Sequence, residues 1–183
     1  MTEFVTEEDL TSALPRVLDA PKTDSTVHLL CTRPDYNKRV FPKRITLTRA
    51  RGIAGDFEMS KPWLKREDGS PDPRIQVSVL PRRVLDLVWL DREAQTHPGD
   101  AIIADFDMSL NNLPTGSLFR VGTAVLRVSD IWNGGCVKWK VRFGRPAYKW
   151  VSAPEHERHR LRGIFCSVEQ DGEAALGDPV RRL

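Results

Sequence analysis

From Val27 onward, apolar residues recur at every second position in short segments separated by turn-forming residues. Val27, Leu29 and Cys31 alternate with His28, Leu30 and Thr32; Ile45 and Leu47 alternate with Thr46 and Thr48; Ile75, Val77 and Val79 alternate with Gln76 and Ser78. Successive side chains of an extended chain point to opposite faces, so a period of two marks strands with one buried face. Ser117 to Val121, Ala124 to Val128 and Ile164 to Val168 read the same way, and Gly122-Thr123 sets the first two of these as a hairpin. Asp171-Gly172 predicts a last hairpin, before the chain reaches Asp178-Pro179-Val180. The 13 prolines and 12 glycines demand many turns, which disfavours a helical bundle.

Two segments break the strand pattern. Thr6 is placed to cap a helix whose first turn is acidic, and Leu10, Ala13, Leu14, Val17 and Leu18 follow at helical spacing, with Pro15 expected to break or kink it. Pro81 suits the first position of a second helix that presents Val84, Leu85 and Val88 before Asp91 and Arg92. The expected fold class is therefore mainly β, an antiparallel β-barrel or sandwich with one or two short helices. A length of 183 residues fits one domain. Residues 1–22 are read as a helical appendage and 23–183 as the β domain.

No apolar run reaches the roughly 20 residues that span a bilayer, and the acidic N-terminus lacks the features of a secretory signal. Three widely spaced cysteines, Cys31, Cys136 and Cys166, fit neither a disulfide framework nor a cysteine zinc site. A reducing cytoplasm is the simplest compartment. Walker, dinucleotide-fold, zincin and serine-hydrolase motifs are all missing.

The net charge of +3 is too small to imply nucleic-acid binding, but it is unevenly spread. Between Lys138 and Arg162 eight basic residues face two acids, a formal +6 that leaves −3 for the remainder. Such a local field suits a small anionic partner, or else a solvated charged loop. Cys136 follows Asn133-Gly134-Gly135 and precedes Lys138 and Lys140. A loop thiol beside cations is the kind that ionises to a nucleophile or a soft metal ligand; a loop cysteine without a role is the competing reading. Cys31 and Cys166 fall on strand positions and read as buried core thiols. Asp56, in a Gly-Asp turn, is structural on the simplest reading and pocket-facing on the other. Arg74 reads as the first residue of the Ile75–Val79 strand, where an anion clamp would be rigidly held. Trp132, Trp139 and Trp150 flank this region and could stack on a flat heterocycle, although packing is the commoner use. His156 and His159 read as surface residues, not a metal site.

Taken in order, Gly52-Ile53-Ala54-Gly55-Asp56, Arg74-Ile75-Gln76-Val77-Ser78, Pro98-Gly99-Asp100-Ala101-Ile102, Leu113-Pro114-Thr115-Gly116, Val121-Gly122-Thr123-Ala124, Gly135-Cys136-Val137-Lys138-Trp139, Leu161-Arg162-Gly163-Ile164 and Leu176-Gly177-Asp178-Pro179-Val180 resemble the MOSC family. The family is named for the C-terminal domain of molybdenum cofactor sulfurases, and the resemblance runs from about Val27 to Val180. It departs from the family at Phe57-Glu58, where members often carry a histidine, and at Gly99-Asp100-Ala101, where many carry Gly-Glu-Asn.

The resemblance implies a MOSC-type antiparallel β-barrel that binds molybdenum cofactor (molybdopterin). Cys136 would carry sulfur or ligate molybdenum, with Asp56, Arg74, Lys138, Arg142 and Arg162 around the anionic pterin. A sulfur donor protein is the other implied partner. Pyridoxal phosphate enters only through family members fused to a cysteine desulfurase, and no lysine here supports it. The implied role is a standalone sulfur-transfer accessory, in the manner of a sulfurtransferase, or a component of a molybdenum-dependent oxidoreductase. Two rivals stay open: a non-catalytic barrel module without cofactor, and a small nucleic-acid binder using the basic stretch with Trp139 and Trp150.

Overall fold

The computed structural model describes residues 4–183. Its centre is a closed barrel of seven strands in the ring order β1 (Asp24–Leu30), β10 (Pro179–Arg182), β6 (Leu118–Val121), β7 (Ala124–Val128), β8 (Ile164–Gln170), β4 (Val77–Pro81) and β5 (Ile102–Ala104), with β5 returning to β1. Most of the alternation read from the sequence is the inward face of this ring: Val27, Val77, Val79, Phe119, Leu126, Val128 and Val168 all meet in the barrel core. In β1, however, a register shift after Val27 turns Leu30 inward and Leu29 towards the second core.

One pairing departs from an all-antiparallel barrel. β4 and β5 run parallel, Val79 opposite Ile102. Parallel neighbours need a crossover, and α2 (Arg82–Val88) with the loop after it supplies one. β5 has only three residues, all buried, so it offers no alternation to read. Ile102 and Ala104 enter the barrel core, while Ile103 faces outward into a second core.

The expected Asp171-Gly172 hairpin is not formed. β9 (Gly172–Ala175) leaves β8 and pairs with β2 (Arg44–Thr48), Arg44 opposite Ala175, in a small sheet ordered β3 (Gly52–Ile53), β2, β9. The β6–β7 turn redirects it. Thr123 Oγ1 accepts from Glu173 N at 2.8 Å, and a Cβ at Gly172 would lie 2.5 Å from Ala124 N. Only a residue without a side chain lets the chain hug that turn and peel away.

Three helices cover one side of the barrel. α1 (Glu7–Leu18) opens with Thr6 and Asp9 in a reciprocal capping box, and it continues through Pro15, so the expected break does not occur. α2 forms where the sequence predicts a helix but starts one residue later, at Arg82, with Pro81 ending β4 and standing before the first helical turn. α3 (Val137–Ser152) is a helix the sequence pattern does not predict; it takes up the first part of the basic stretch, for which a solvated loop is one of two readings. Its buried residues Trp139, Phe143, Ala147, Trp150 and Val151 do recur at helical spacing, but Gly144 and Pro146 obscure it. Gly144 sits at φ 86°, ψ 167°, a conformation essentially reserved for glycine, and divides α3 into two segments. Leu10 and Val17 of α1, Val84, Leu85 and Val88 of α2 and the α3 aromatics form the second core with Leu80 and Ile103. Each such side chain contributes roughly 1.5–3 kcal/mol on burial. That core fixes the start of α3, and with it Cys136, against the barrel.

Candidate functional site

Cys136 is the residue immediately before α3, extended at φ −116° and exposed, and its carbonyl accepts from Lys140 N at 3.0 Å. The loop before it is pinned at both ends. Buried Asn133 donates through Nδ2 to the Arg162 carbonyl at 3.2 Å, and Gly135 N donates to Ser152 Oγ at 3.2 Å. The other two thiols are buried, as expected. Burial pushes the Cys31 thiol up to about 12 and raises Cys166 as well, so both stay protonated and inert at neutral pH.

Two hollows meet at Cys136. The larger is a cleft of about 690 Å³, within the range of small-molecule sites. Aromatic side chains wall it: Tyr36, Phe57, Trp63, Trp132 and Phe165, with Trp63 against Phe165 at 5.8 Å between ring centres. Its cations are Arg33, Lys61, Lys138 and Arg162. The smaller hollow, about 100 Å³, is bounded by Arg33, Arg39, Lys138, Trp139, Arg142 and Arg162, together with Cys136.

The charges are arranged in two tiers. Arg33 is braced by Asp56, whose Oδ2 accepts from the Arg33 backbone at 2.8 Å and from Nε at 3.1 Å, while Glu58 pairs with its Nη2 at 2.9 Å. Burial works against the Arg33 charge, but Asp56 and Glu58 outweigh it and hold the guanidinium firmly protonated. Arg162 donates to the buried Asp100 at 2.9 Å. Both departures from the family pattern, Glu58 and Asp100, thus sit on a site arginine as counter-charges. Arg39 and Arg142 have no carboxylate partner among the described residues. They donate only to backbone carbonyls, Arg39 to His97 and Lys38, and Arg142 to Pro98 at 3.0 Å. Burial, together with other nearby arginines, lowers the pKa of both.

Of the residues singled out from sequence, Cys136, Lys138 and Arg162 line both hollows, and Arg142 lines the smaller. Asp56 acts one step removed, by holding Arg33. Arg74 stands outside both linings. It lies in a 3₁₀ turn, Pro73–Ile75, not at the start of a strand, because Asp72 caps that turn through Arg74 N and draws the guanidinium back to 2.7 Å. Asp130 holds its other side at 3.1 Å. Trp132 lines the cleft, Trp139 is buried beside the small hollow, and Trp150 belongs to the second core. Arg160 is consumed structurally, buried and donating to the Leu113 carbonyl at 2.5 Å.

Sequence reasoning passed over Arg33, Arg39, Phe57 and Trp63. The basic run Arg33, Lys38, Arg39, Lys43, Arg44 was a legible signal for the first two. Among the described residues no group of three or more His, Cys, Asp or Glu is placed to share a metal ion.

The family model for the MOSC domain matches residues 96–181, somewhat less than half of the chain, and that segment carries Asp100, Cys136, Arg142 and Arg162. These residues belong to a MOSC domain. The fold agrees with solved structures. The YuaD protein from Bacillus subtilis superposes with a TM-score of 0.59 at 17% identity, over 86% of this chain and 94% of that one. YiiM from Escherichia coli gives 0.52 at 18% identity, over 86% and 69%. At these identities the likeness is one of fold. No curated protein matches the chain. The MOSC match begins only at residue 96, so Arg33, Arg39, Asp56, Phe57 and Trp63 reach the site from outside the matched segment.

Proposed function

We propose that this MOSC domain binds a molybdenum–pterin cofactor, or a closely related anionic sulfur-bearing pterin, in the aromatic cleft. Cys136 would serve as metal ligand or sulfur carrier. The observation that carries the reading is the position of Cys136, whose exposed thiol borders both the aromatic cleft and the arginine-lined hollow.

The residues present fit such a group. With no cluster of metal-ligating side chains among the described residues, a metal here would bring its remaining ligands with it. A chelated molybdenum needs one soft protein ligand, and a thiolate suits it. The aromatic walls offer faces to a flat heterocycle, and Arg33 and Lys138 offer charge-assisted donors to its anionic groups. Asp56 and Asp100 keep Arg33 and Arg162 from swinging into that space. The bound cofactor would supply the redox or sulfur chemistry; the chain orients it and presents the Cys136 sulfur.

The test is native mass spectrometry with molybdenum and pterin analysis on protein purified from its own host. The expected result is pterin and molybdenum at near-equal amounts, with Cys136→Ser lowering molybdenum or bound sulfur more than pterin. Protein free of both under conditions where other host molybdoenzymes are loaded would overturn the reading.

A further inference from the structure

The small hollow is too small for a pterin. About 100 Å³ has room for a few waters or a small anion, against several hundred for an organic ligand. Yet it carries more cationic charge than any other part of the site. Asp56 and Glu58 answer Arg33, and Asp100 answers Arg162, but Arg39, Arg142 and Lys138 have no carboxylate partner among the described residues. Two further lining residues hold buried N–H groups without a partner: Arg162 at Nε and Trp139 at Nε1. Partly buried cations and unmet donors around so small a space are costly unless an anion sits among them. The Cys136 side borders that same space.

We propose that this hollow takes a small sulfur oxyanion of the thiosulfate type, a sulfonate group bearing a transferable outer sulfur, and that this anion loads Cys136. The assignment rests on the sulfur-carrier reading of Cys136. Phosphate or sulfate would satisfy the same arginines, but neither offers a thiol an atom to take. A thiosulfate-type donor offers both a dianionic end for Arg39 and Arg142 and a sulfur for the thiol. The Cys136 proton passes to solvent, and the thiolate sulfur attacks the outer sulfur of the donor. One S–S bond forms, giving the cysteine persulfide. The donor's S–S bond breaks, and its electron pair leaves on sulfite. Charge balances at −3 on each side, and no external oxidant or reductant is needed. The arginines hold the sulfite as it departs, where its charge is most concentrated.

The experiment incubates reduced, full-length protein with thiosulfate and, separately, with inorganic polysulfide, which lacks the sulfonate. Peptide mass spectrometry and a sulfite assay read the outcome. Thiosulfate is expected to add one sulfur to the Cys136 peptide and release one sulfite per chain. Arg142→Gln and Arg39→Gln should each raise the half-saturating thiosulfate concentration at least tenfold while slowing polysulfide loading far less, and an intact circular dichroism spectrum shows that the variants are folded. Arg142→Lys should recover part of the loss. Loading by polysulfide but not thiosulfate, or thiosulfate loading indifferent to both arginines, overturns this assignment and leaves the sulfur-carrier reading standing. Loading by neither donor overturns that reading as well. Equal protection of Cys136 from alkylation by inorganic phosphate and thiosulfate, with no persulfide formed, would make the hollow a plain oxyanion site and also overturn the assignment.

Discussion

The guanidinium carbon of Arg162 lies 4.5 Å from the centre of the Trp139 ring, and the same guanidinium donates to Asp100 at 2.9 Å. One cation therefore joins the barrel rim to the first turn of α3. Both partners of the ion pair are buried, with side-chain exposures of 11% and 2%. Removing one leaves an uncompensated charge, so Asp100→Asn should cost about 3 kcal/mol in urea unfolding. It should also raise the alkylation rate of Cys136 by loosening the loop before it. A loss below about 1 kcal/mol would show the pair to be mechanically idle.

The three thiols should separate cleanly under a thiol probe at pH 7.5. Cys136 is exposed, whereas Cys31 and Cys166 are buried and shifted upward. Peptide mapping of iodoacetamide-treated native protein should find Cys136 modified at least roughly a hundredfold faster than either. Equal protection of all three would remove the case for a working thiol.

His97 should give the fold an acid-sensitive limb. Buried beneath Trp89 and Phe41, it is held down to about 4 from an ordinary 6.5, chiefly by burial, with Asp100 opposing and nearby arginines assisting. The folded state holds the neutral ring, while the unfolded chain takes up a proton near pH 6.5. Stability from this group is thus complete above about pH 6.5 and declines as the pH falls towards 4, by about 3 kcal/mol in all. Urea midpoints across that window should show the decline, and His97→Gln should flatten it.

Trp63 separates binding from folding. It is 59% exposed and touches Phe165 at the mouth of the cleft. Trp63→Ala should shift stability by less than about 1 kcal/mol and lower pterin recovered with host-purified protein severalfold. Unchanged pterin content would move the ligand away from this wall.

Much of the barrel was legible because alternation is a local property. Val77 and Val79 or Leu118 to Val121 announce their buried face within a few residues. β9 was misassigned because its partner is decided by a contact between Glu173 and Thr123, residues far apart in sequence. α3 was hidden by Gly144 and Pro146, which belong to the break inside it. In the site, Cys136, Lys138, Arg142 and Arg162 could be read from one basic stretch. Arg33 and Arg39 lie in a basic run that is itself legible, but only the fold brings the loop after β1 to face α3. Arg74 misled for the opposite reason: Asp72, two residues away, claims it locally.

The seam of the barrel is the pairing of β1 with β10, Ser25 opposite Val180. The ring therefore joins two strands from near opposite ends of the described chain, and it cannot close until both have been made. Such distant pairings carry a large loop-closure cost and slow the folding rate. On a ribosome, the second core and the β6–β7 hairpin can begin to form early, but the enclosed barrel interior must wait for the last strand. Until then Cys166, sealed in the finished molecule, lacks its full cover, so its protection comes late in folding, whereas Cys136 stays exposed throughout.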